Sequence, residues 1–136
     1  MIVVDTGPLV ALFDRRDADH ADCRTRLKAQ RAALVSTLPV LTEAFHMLRP
    51  ASHDSQQLRL FIGGGGIAVH TPDEAETQRA FELMETYADH PMDFADASVI
   101  AAAETLQTRK VFTLDRNDFQ TYRIKRGHRH LAVEIV

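Results

Sequence analysis

The alternation of short apolar runs with longer helical segments constrains the fold of this chain most strongly. Runs typical of buried strands occupy residues 2–4, 34–37, 67–69, 111–114 and 132–136. Helical segments are predicted between them, at 8–13, 17–30, 39–49, 56–61, from 71 onward and at 93–106. Strands that alternate with helices predict an α/β fold with three layers, in which helices cover both faces of a central, mostly parallel sheet.

Proline and glycine residues mark several of the predicted helix ends. Pro8 and Pro39 fit the first turn of a helix, where the missing N–H is not needed. Thr71 is predicted to cap a third helix, with Pro72 at its first position. The glycine run at 63–66 lacks the Lys and Ser/Thr of a phosphate-binding loop, which favours a flexible connection.

Size and composition exclude several classes of protein. The 136 residues are 45% hydrophobic and 26% charged, which predicts a single domain over residues 1–136. No apolar run reaches the roughly 20 residues that span a bilayer, and no signal-like segment opens the chain, so we expect a cytoplasmic protein with no membrane partner. The lone Cys23 excludes an internal disulfide, and no Cys/His spacing suggests zinc.

Basic residues are concentrated in two stretches although the net charge is −3. Either stretch could contact a phosphate backbone, or it could form an ordinary solvated face. One stretch contains Arg24, Arg26, Lys28 and Arg31. The predicted RNA-binding residues belong to the other, which also holds His128 and His130; they are Arg116, Arg123, Lys125, Arg126 and Arg129.

The positions of four acidic residues suggest a catalytic site. Asp5 and Asp115 directly follow predicted strands, and Glu43 lies about one turn into the helix after the second strand. Because sites in open parallel sheets form beyond the carboxyl ends of the strands, these acids can converge. Asp96 precedes Val99 and Ile100 on a stripe that its helix should bury, and a buried carboxylate calls for a cationic partner.

Oxygen ligands without thiolates favour Mg²⁺ or Mn²⁺ over zinc. Such an ion can activate water and stabilise the charge that develops on a phosphodiester. We therefore expect metal-assisted phosphodiester hydrolysis, in which Asp5, Asp96 and Asp115 hold one or two ions and Glu43 ligates or orients the attacking water.

Each acid also has an ordinary structural explanation. Asp5 could cap a helix, Glu43 could be solvated, and Asp115 could open a turn with Asn117 and Asp118. Asp93 is better explained as a helix cap than as a ligand, with Asp96 at the third helical position. The coincidence of four such placements favours a shared site.

Neighbouring polar residues are assigned supporting or structural roles. Thr6 could orient Asp5 or a metal-bound water through its hydroxyl, or could simply cap the backbone. His46, one turn after Glu43, is more typical of a surface or packing residue than of a general base. His20 and Cys23 are assigned to structure.

Taken in order, these segments resemble the PIN-domain family, and within it toxins of the VapC type. The matching pieces are Ile2-Val3-Val4-Asp5-Thr6, residues 40–44 (VLTEA), residues 93–102 (DFADASVIAA) and residues 111–119 (VFTLDRNDF). No single piece is specific, but the ordered set is. The glycine run is not a hallmark of the family.

The resemblance implies a fold, an activity and partners. The acidic quartet of the family falls on Asp5, Glu43, Asp96 and Asp115, with Thr6 as hydroxyl neighbour and Asp93 and Asp118 as auxiliary residues. The family implies cleavage of RNA by metal-activated water, a homodimer, and a small antitoxin protein that inhibits the toxin near its site.

Three alternatives remain at the level of sequence. A PIN module without activity would bind RNA or a protein partner only. Asp5-Thr6-Gly7 also resembles the signature of aspartic proteases, but those enzymes are mostly β. A phosphatase of the haloacid dehalogenase type would need an Asp where Gly7 stands.

Overall fold

The computed structural model describes residues 1–136, and its elements follow the predicted alternation. In chain order they are β1 (Ile2–Val4), α1 (Thr6–Phe13), α2 (His20–Lys28), β2 (Leu34–Thr37), α3 (Leu38–Met47), α4 (His53–Gly63), β3 (Ala68–His70), α5 (Glu74–Thr86), α6 (Phe94–Thr105), β4 (Lys110–Phe112), α7 (Arg116–Thr121), β5 (Arg123–Arg126), β6 (Arg129–Ala132) and β7 (Glu134–Ile135).

Five strands form one sheet in the order β3-β2-β1-β4-β7, and every neighbouring pair is parallel. The chain builds outward from β1 to β3 on one side and from β4 to β7 on the other. The direction of winding therefore reverses between β1 and β4, and a crevice at such a point is where open α/β sheets bind ligands. Asp5 follows β1 and Asp115 lies just beyond β4, so both acids stand at this reversal.

The buried side chains form a continuous cluster around β1 and α6. Ile2, Val3 and Val4 are at most 1% exposed, as expected for the central strand of a sheet covered on both faces. The helix α6 is buried almost all round because its small side chains let neighbouring elements approach closely; the buried members are Ala95, Ala97, Ser98, Val99, Ile100, Ala101, Ala102 and Ala103. The predicted three-layer α/β fold is confirmed.

Two helices differ from the sequence analysis. The cap of α5 is Asp73, whose carboxylate accepts the N–H of Glu76 over 2.8 Å, and not Thr71. An aspartate competes well for this position, and it starts the helix two residues later than predicted. The helix α7 was not predicted, because its six residues are too few to show a periodic pattern.

The C-terminal segment forms a hairpin as well as a sheet strand. The strands β5 and β6 pair antiparallel as a separate two-stranded sheet, with Arg126 opposite Arg129 across a turn in which Gly127 has φ of +62°. The single strand predicted for residues 132–136 is therefore wrong in extent, since Ala132 belongs to β6 and only Glu134–Ile135 join the parallel sheet. None of the helices has the length and apolar character needed to cross a membrane.

Candidate active site

Asp5 lies at the carboxyl end of β1 and caps α1. Its Oδ1 accepts the N–H of Thr6 over 2.8 Å, and its Oδ2 accepts the hydroxyl of Thr113 over 2.8 Å. The residue is only 7% exposed. Burial raises the pKa of Asp5 from 3.8 to about 6, although the two hydrogen bonds oppose this and the nearby charges of Asp93 and Glu43 add to it.

Glu43 lies in α3 and is joined to Asp5 through Thr6. The hydroxyl of Thr6 donates to Oε1 of Glu43 over 2.7 Å, while the backbone N–H of the same residue donates to Asp5. Of the roles considered from the sequence, a hydroxyl contact from Thr6 to Asp5 is not formed, because the hydroxyl reaches across to α3 instead. Thr6 thereby fixes the position of one acid relative to the other.

Asp93 and Asp96 begin α6 as a reciprocal cap. The carboxylate of Asp93 accepts the N–H of Asp96 over 2.8 Å, and Oδ2 of Asp96 accepts the N–H of Asp93 over 3.4 Å. The interpretation of Asp93 as a cap is confirmed. Burial, followed by the charges of Asp93 and Asp5, raises the pKa of Asp96 from 3.8 to about 8. The two residues that cap α6 therefore also interact electrostatically with Asp5.

Asp115 is exposed and caps α7. Its Oδ1 accepts the N–H of Asp118 over 3.2 Å, and its own N–H donates to the hydroxyl oxygen of Thr113 over 3.0 Å. Partial burial and the adjacent carboxyl of Asp118 raise the pKa of Asp115, and the charge of His90 opposes this. The turn considered as an ordinary explanation for Asp115 is the first turn of a short helix in the structure.

Two residues at the site were missed by sequence reasoning. Thr113 is fully buried and connects Asp5 to Asp115, and its only sequence signal is a polar residue near the end of an apolar strand. Tyr122 is also fully buried, and its Oη has no hydrogen-bond partner. Burial and then the charge of Asp96 raise the pKa of Tyr122. Nothing in the sequence distinguishes Tyr122 from a core aromatic.

The donor chemistry of this cluster fits a hard divalent cation. Buried carboxylates with raised pKa values and no cationic partner are groups whose charge an oxygen-ligated ion would compensate. The Oη of Tyr122 is a further buried polar atom without a hydrogen-bond partner. No three of the side chains are arranged to hold one ion together in this conformation. The acids lie at one end of the sheet, but their carboxylates are not placed to coordinate a single ion together.

The other predicted residues lie outside the acidic cluster. His46 is exposed near the end of α3. Arg123 uses its Nη1 to contact the carbonyl oxygens of residues 120–122 at the end of α7, so this side chain has a structural role. The remaining basic residues of the predicted RNA-binding set are exposed, on α7 and on the β5–β6 hairpin; they are Arg116, Lys125, Arg126 and Arg129.

Comparison with known proteins identifies the family. Residues 2–125 match the sequence profile of the PIN domain. Ribonuclease VapC26 from Mycobacterium tuberculosis (strain ATCC 25618 / H37Rv) is 27% identical over 134 residues, which cover 97% of this chain and 99% of that protein.

Two solved structures share the fold. The crystal structure of VapC20 from Mycobacterium tuberculosis, a toxin that cleaves the sarcin–ricin loop, superposes with a TM-score of 0.79 at 18% identity and covers 87% of this chain and 92% of that chain. A toxin–antitoxin complex from Klebsiella pneumoniae gives a TM-score of 0.71 at 19% identity, covering 89% of this chain and 92% of that chain. With the profile match over nearly the whole length, these likenesses confirm the predicted resemblance, and the chain belongs to the PIN-domain family.

Proposed function

We propose that this protein is a metal-dependent endoribonuclease of the VapC type that hydrolyses RNA with metal-activated water. The observation that carries the proposal is the grouping of Asp5, Glu43, Asp96 and Asp115 at the reversal point of the sheet, with the pKa of Asp5 raised to about 6 and that of Asp96 to about 8. Sites of this type pair buried carboxylates with a cation. The relative named Ribonuclease VapC26 supports the same activity.

Asp5, Asp96 and Asp115 are the proposed metal ligands, with Glu43 as a ligand or an orienting group for water. When bound, Mg²⁺ or Mn²⁺ would lower the pKa of a water molecule and stabilise the charge that develops on the phosphate. The chain's own contribution is to place the carboxylates. Thr6 holds Oε1 of Glu43, which leaves Oε2 free to accept a proton from water or to orient it.

The exposed basic residues of the hairpin are proposed to guide RNA toward the acids. Lys125, Arg126 and Arg129 lie on β5 and β6, and Arg116 directly follows Asp115. Because an acidic cluster repels a phosphate backbone, a basic surface is needed to hold the substrate. The hairpin would supply one beyond the far end of α6 from Asp96, where the N–H of Lys125 donates to Glu104.

An antitoxin partner is proposed from the toxin–antitoxin complex whose fold this chain shares. A cavity of about 420 Å³ between α1, α2 and α4 is lined by the apolar side chains of Leu12, Phe13, Leu27 and Phe61 and by basic residues that include Arg24 and Lys28. Its chemistry suits an amphipathic segment of the antitoxin with acidic residues on one side. Charge reversal in Lys28→Glu should weaken capture of such a segment, whereas Lys110→Glu, on β4, should not.

A homodimer is proposed through the apolar face formed by Leu38, Phe81 and Phe94. These side chains are 43%, 48% and 37% exposed, and the rings of Phe81 and Phe94 pack with centroids 5.7 Å apart. Contiguous exposed apolar side chains of this kind favour association. Sedimentation of Phe81→Glu should give a monomer if this face forms the dimer, and an unchanged dimer would contradict the assignment.

The deciding experiment is RNA cleavage with controlled metal. The wild-type protein should cleave a labelled single-stranded RNA pool in Mg²⁺ or Mn²⁺ and should lose this activity in EDTA. Asp5→Asn and Asp96→Asn should be inactive but folded, whereas Asp89→Asn, an exposed residue that precedes the site, should retain activity. Cleavage that persists in EDTA or in Asp5→Asn would contradict the proposal. RNA binding without any cleavage would instead favour a non-catalytic PIN module.

A further inference from the structure

His90 lies in the segment between α5 and α6, where no role was predicted for it. Its Nε2 is 2.6 Å from Oδ1 of Asp118, with side chains that are 35% and 28% exposed. The contact has the distance of an ion pair without the alignment of a hydrogen bond. His90 thereby connects the segment before Asp93 to the helix α7, which follows Asp115.

Asp118 contacts Asp115 directly. Its N–H donates to Oδ1 of Asp115, and its carboxyl lies close enough to raise the pKa of Asp115. Because neighbouring carboxylates repel each other, the orientation of the Asp118 carboxyl affects that of Asp115. The contact with His90 directs Oδ1 of Asp118 toward the α5–α6 segment.

The imidazole ring is held in place by aromatic neighbours. It meets the ring of Tyr122 edge-on, with centroids 6.1 Å apart and an interplanar angle of 84°. Tyr122 in turn packs on Tyr87, and the backbone N–H of His90 donates to the carbonyl oxygen of Tyr87 over 3.0 Å. A ring packed in this way has few alternative rotamers, so it can fix the position of Asp118.

We propose that His90 is a positioning residue for the nuclease site: through its contact with Oδ1 of Asp118 it fixes the carboxyl of Asp118 beside that of Asp115, and so fixes the orientation of Asp115 for metal binding. The inference rests on the proposed function. His90 contacts neither substrate nor metal in this role and acts through Asp118. Because it joins the segment before α6 to α7, it also fixes Asp96 and Asp115 relative to each other.

If the His90–Asp118 contact were an ordinary surface ion pair, its removal would have different effects. Exposed pairs contribute about 0–1 kcal/mol to stability, and their removal leaves a distant reaction unchanged. A positioning contact should alter metal affinity and kcat while KM for RNA stays the same, because the residue does not touch RNA.

The test compares His90→Leu, His90→Gln, Asp118→Asn and the double variant His90→Leu/Asp118→Asn. Mn²⁺ binding is measured by calorimetry without RNA, and kcat and KM are measured separately on a labelled single-stranded RNA. His90→Leu should weaken Mn²⁺ binding and lower kcat by about tenfold each, with KM within twofold of wild type. His90→Gln, whose amide nitrogen can occupy the place of Nε2, should restore most of both.

The double variant shows whether His90 acts through Asp118. Its loss should equal that of Asp118→Asn alone, because residues that act through one contact are not additive. His53→Gln, at an exposed position that begins α4, is the matched control and should behave as wild type. Additive losses, a change confined to KM, no change in His90→Leu, or a His90→Gln variant as poor as His90→Leu would each overturn the proposal.

The two readouts separate this inference from the proposed function. A wild-type protein that binds Mn²⁺ but does not cleave RNA would contradict the nuclease, while the Mn²⁺ titrations would still test His90. A wild-type protein that binds no Mn²⁺ would overturn both.

Discussion

The hydroxyl of Thr113 donates a hydrogen bond of 2.8 Å to Oδ2 of Asp5, and its oxygen accepts the N–H of Asp115 over 3.0 Å. A fully buried side chain that directly follows β4 thus sets the spacing of two acids that lie beyond neighbouring strands. Because the hydroxyl opposes the effect of burial on the pKa of Asp5, its loss should make Asp5 harder to ionise.

Thr113→Val should therefore lower metal affinity and kcat by about tenfold and move the pH profile of activity to higher pH. The valine methyl fills the same space, so the free energy of unfolding should change little at low pH. Thr113→Ser keeps the hydroxyl and is the control. A Thr113→Val variant with a wild-type pH profile would exclude this role for the hydrogen bond.

The fold and the position of the acidic residues at one end of the sheet could be predicted, because each leaves a local signal. The strand formed by Ile2, Val3 and Val4 is a run of β-branched and apolar residues, and Asp5 follows it directly. Tyr122 and Thr113 leave no comparable signal, because their importance depends on contacts between segments far apart in the chain. His90 is a similar case, since its partner Asp118 lies beyond α6 and β4.

Asp96→Asn should stabilise the metal-free protein at alkaline pH. The pKa of Asp96 is about 8 in the folded protein against 3.8 for an ordinary Asp, so the folded state binds more protons than the unfolded state between these values. Stability contributed by this group is present below pH 4 and is lost as pH rises through about 8.

The Asn variant cannot ionise and avoids that loss. At pH 8 in EDTA, its free energy of unfolding should exceed that of wild type by about 1–3 kcal/mol, a figure discounted because solvent screens a half-buried carboxylate. At pH 4 the two proteins should match. Adding Mn²⁺ at pH 8 should raise the Tm of wild type but not of the variant, and denaturant titrations at both pH values provide the check.

Gly66→Ala should destabilise the turn that follows α4. A Cβ at Gly66 would overlap Cε1 of Phe61, whose ring packs against Phe13 with centroids 5.5 Å apart. We expect a loss of about 1–3 kcal/mol, as for other overpacked sites. Gly63→Ala is the control, since a Cβ there meets nothing within 4 Å and should be neutral or stabilising.

A second variant shows whether the clash is the cause. Phe61→Leu replaces the ring that a Cβ would meet with a smaller side chain. Gly66→Ala should therefore lower the free energy of unfolding less in the Phe61→Leu background than in wild type. Equal costs in the two backgrounds would contradict the steric explanation.

The basic surface of the β5–β6 hairpin predicts a salt-dependent contribution to RNA binding. The triple variant Lys125→Gln/Arg126→Gln/Arg129→Gln should lower the slope of log Kd against log salt by about 2, because each phosphate contact to a single strand contributes about 0.7. Binding should be measured in EDTA in the Asp5→Asn background, so that cleavage does not consume the RNA. Arg123 stays unchanged in this variant, because it contacts the end of α7.

The other basic stretch provides the control for this prediction. Arg24→Gln/Lys28→Gln/Arg31→Gln removes the same formal charge from exposed positions on and after α2. If RNA follows the hairpin, this variant should leave the slope nearly unchanged, since only bound phosphates release counterions. Equal changes in both triple variants would mean that net charge, and not the position of the hairpin, determines binding. A larger change in the α2 variant would place the RNA path over α1 and α2.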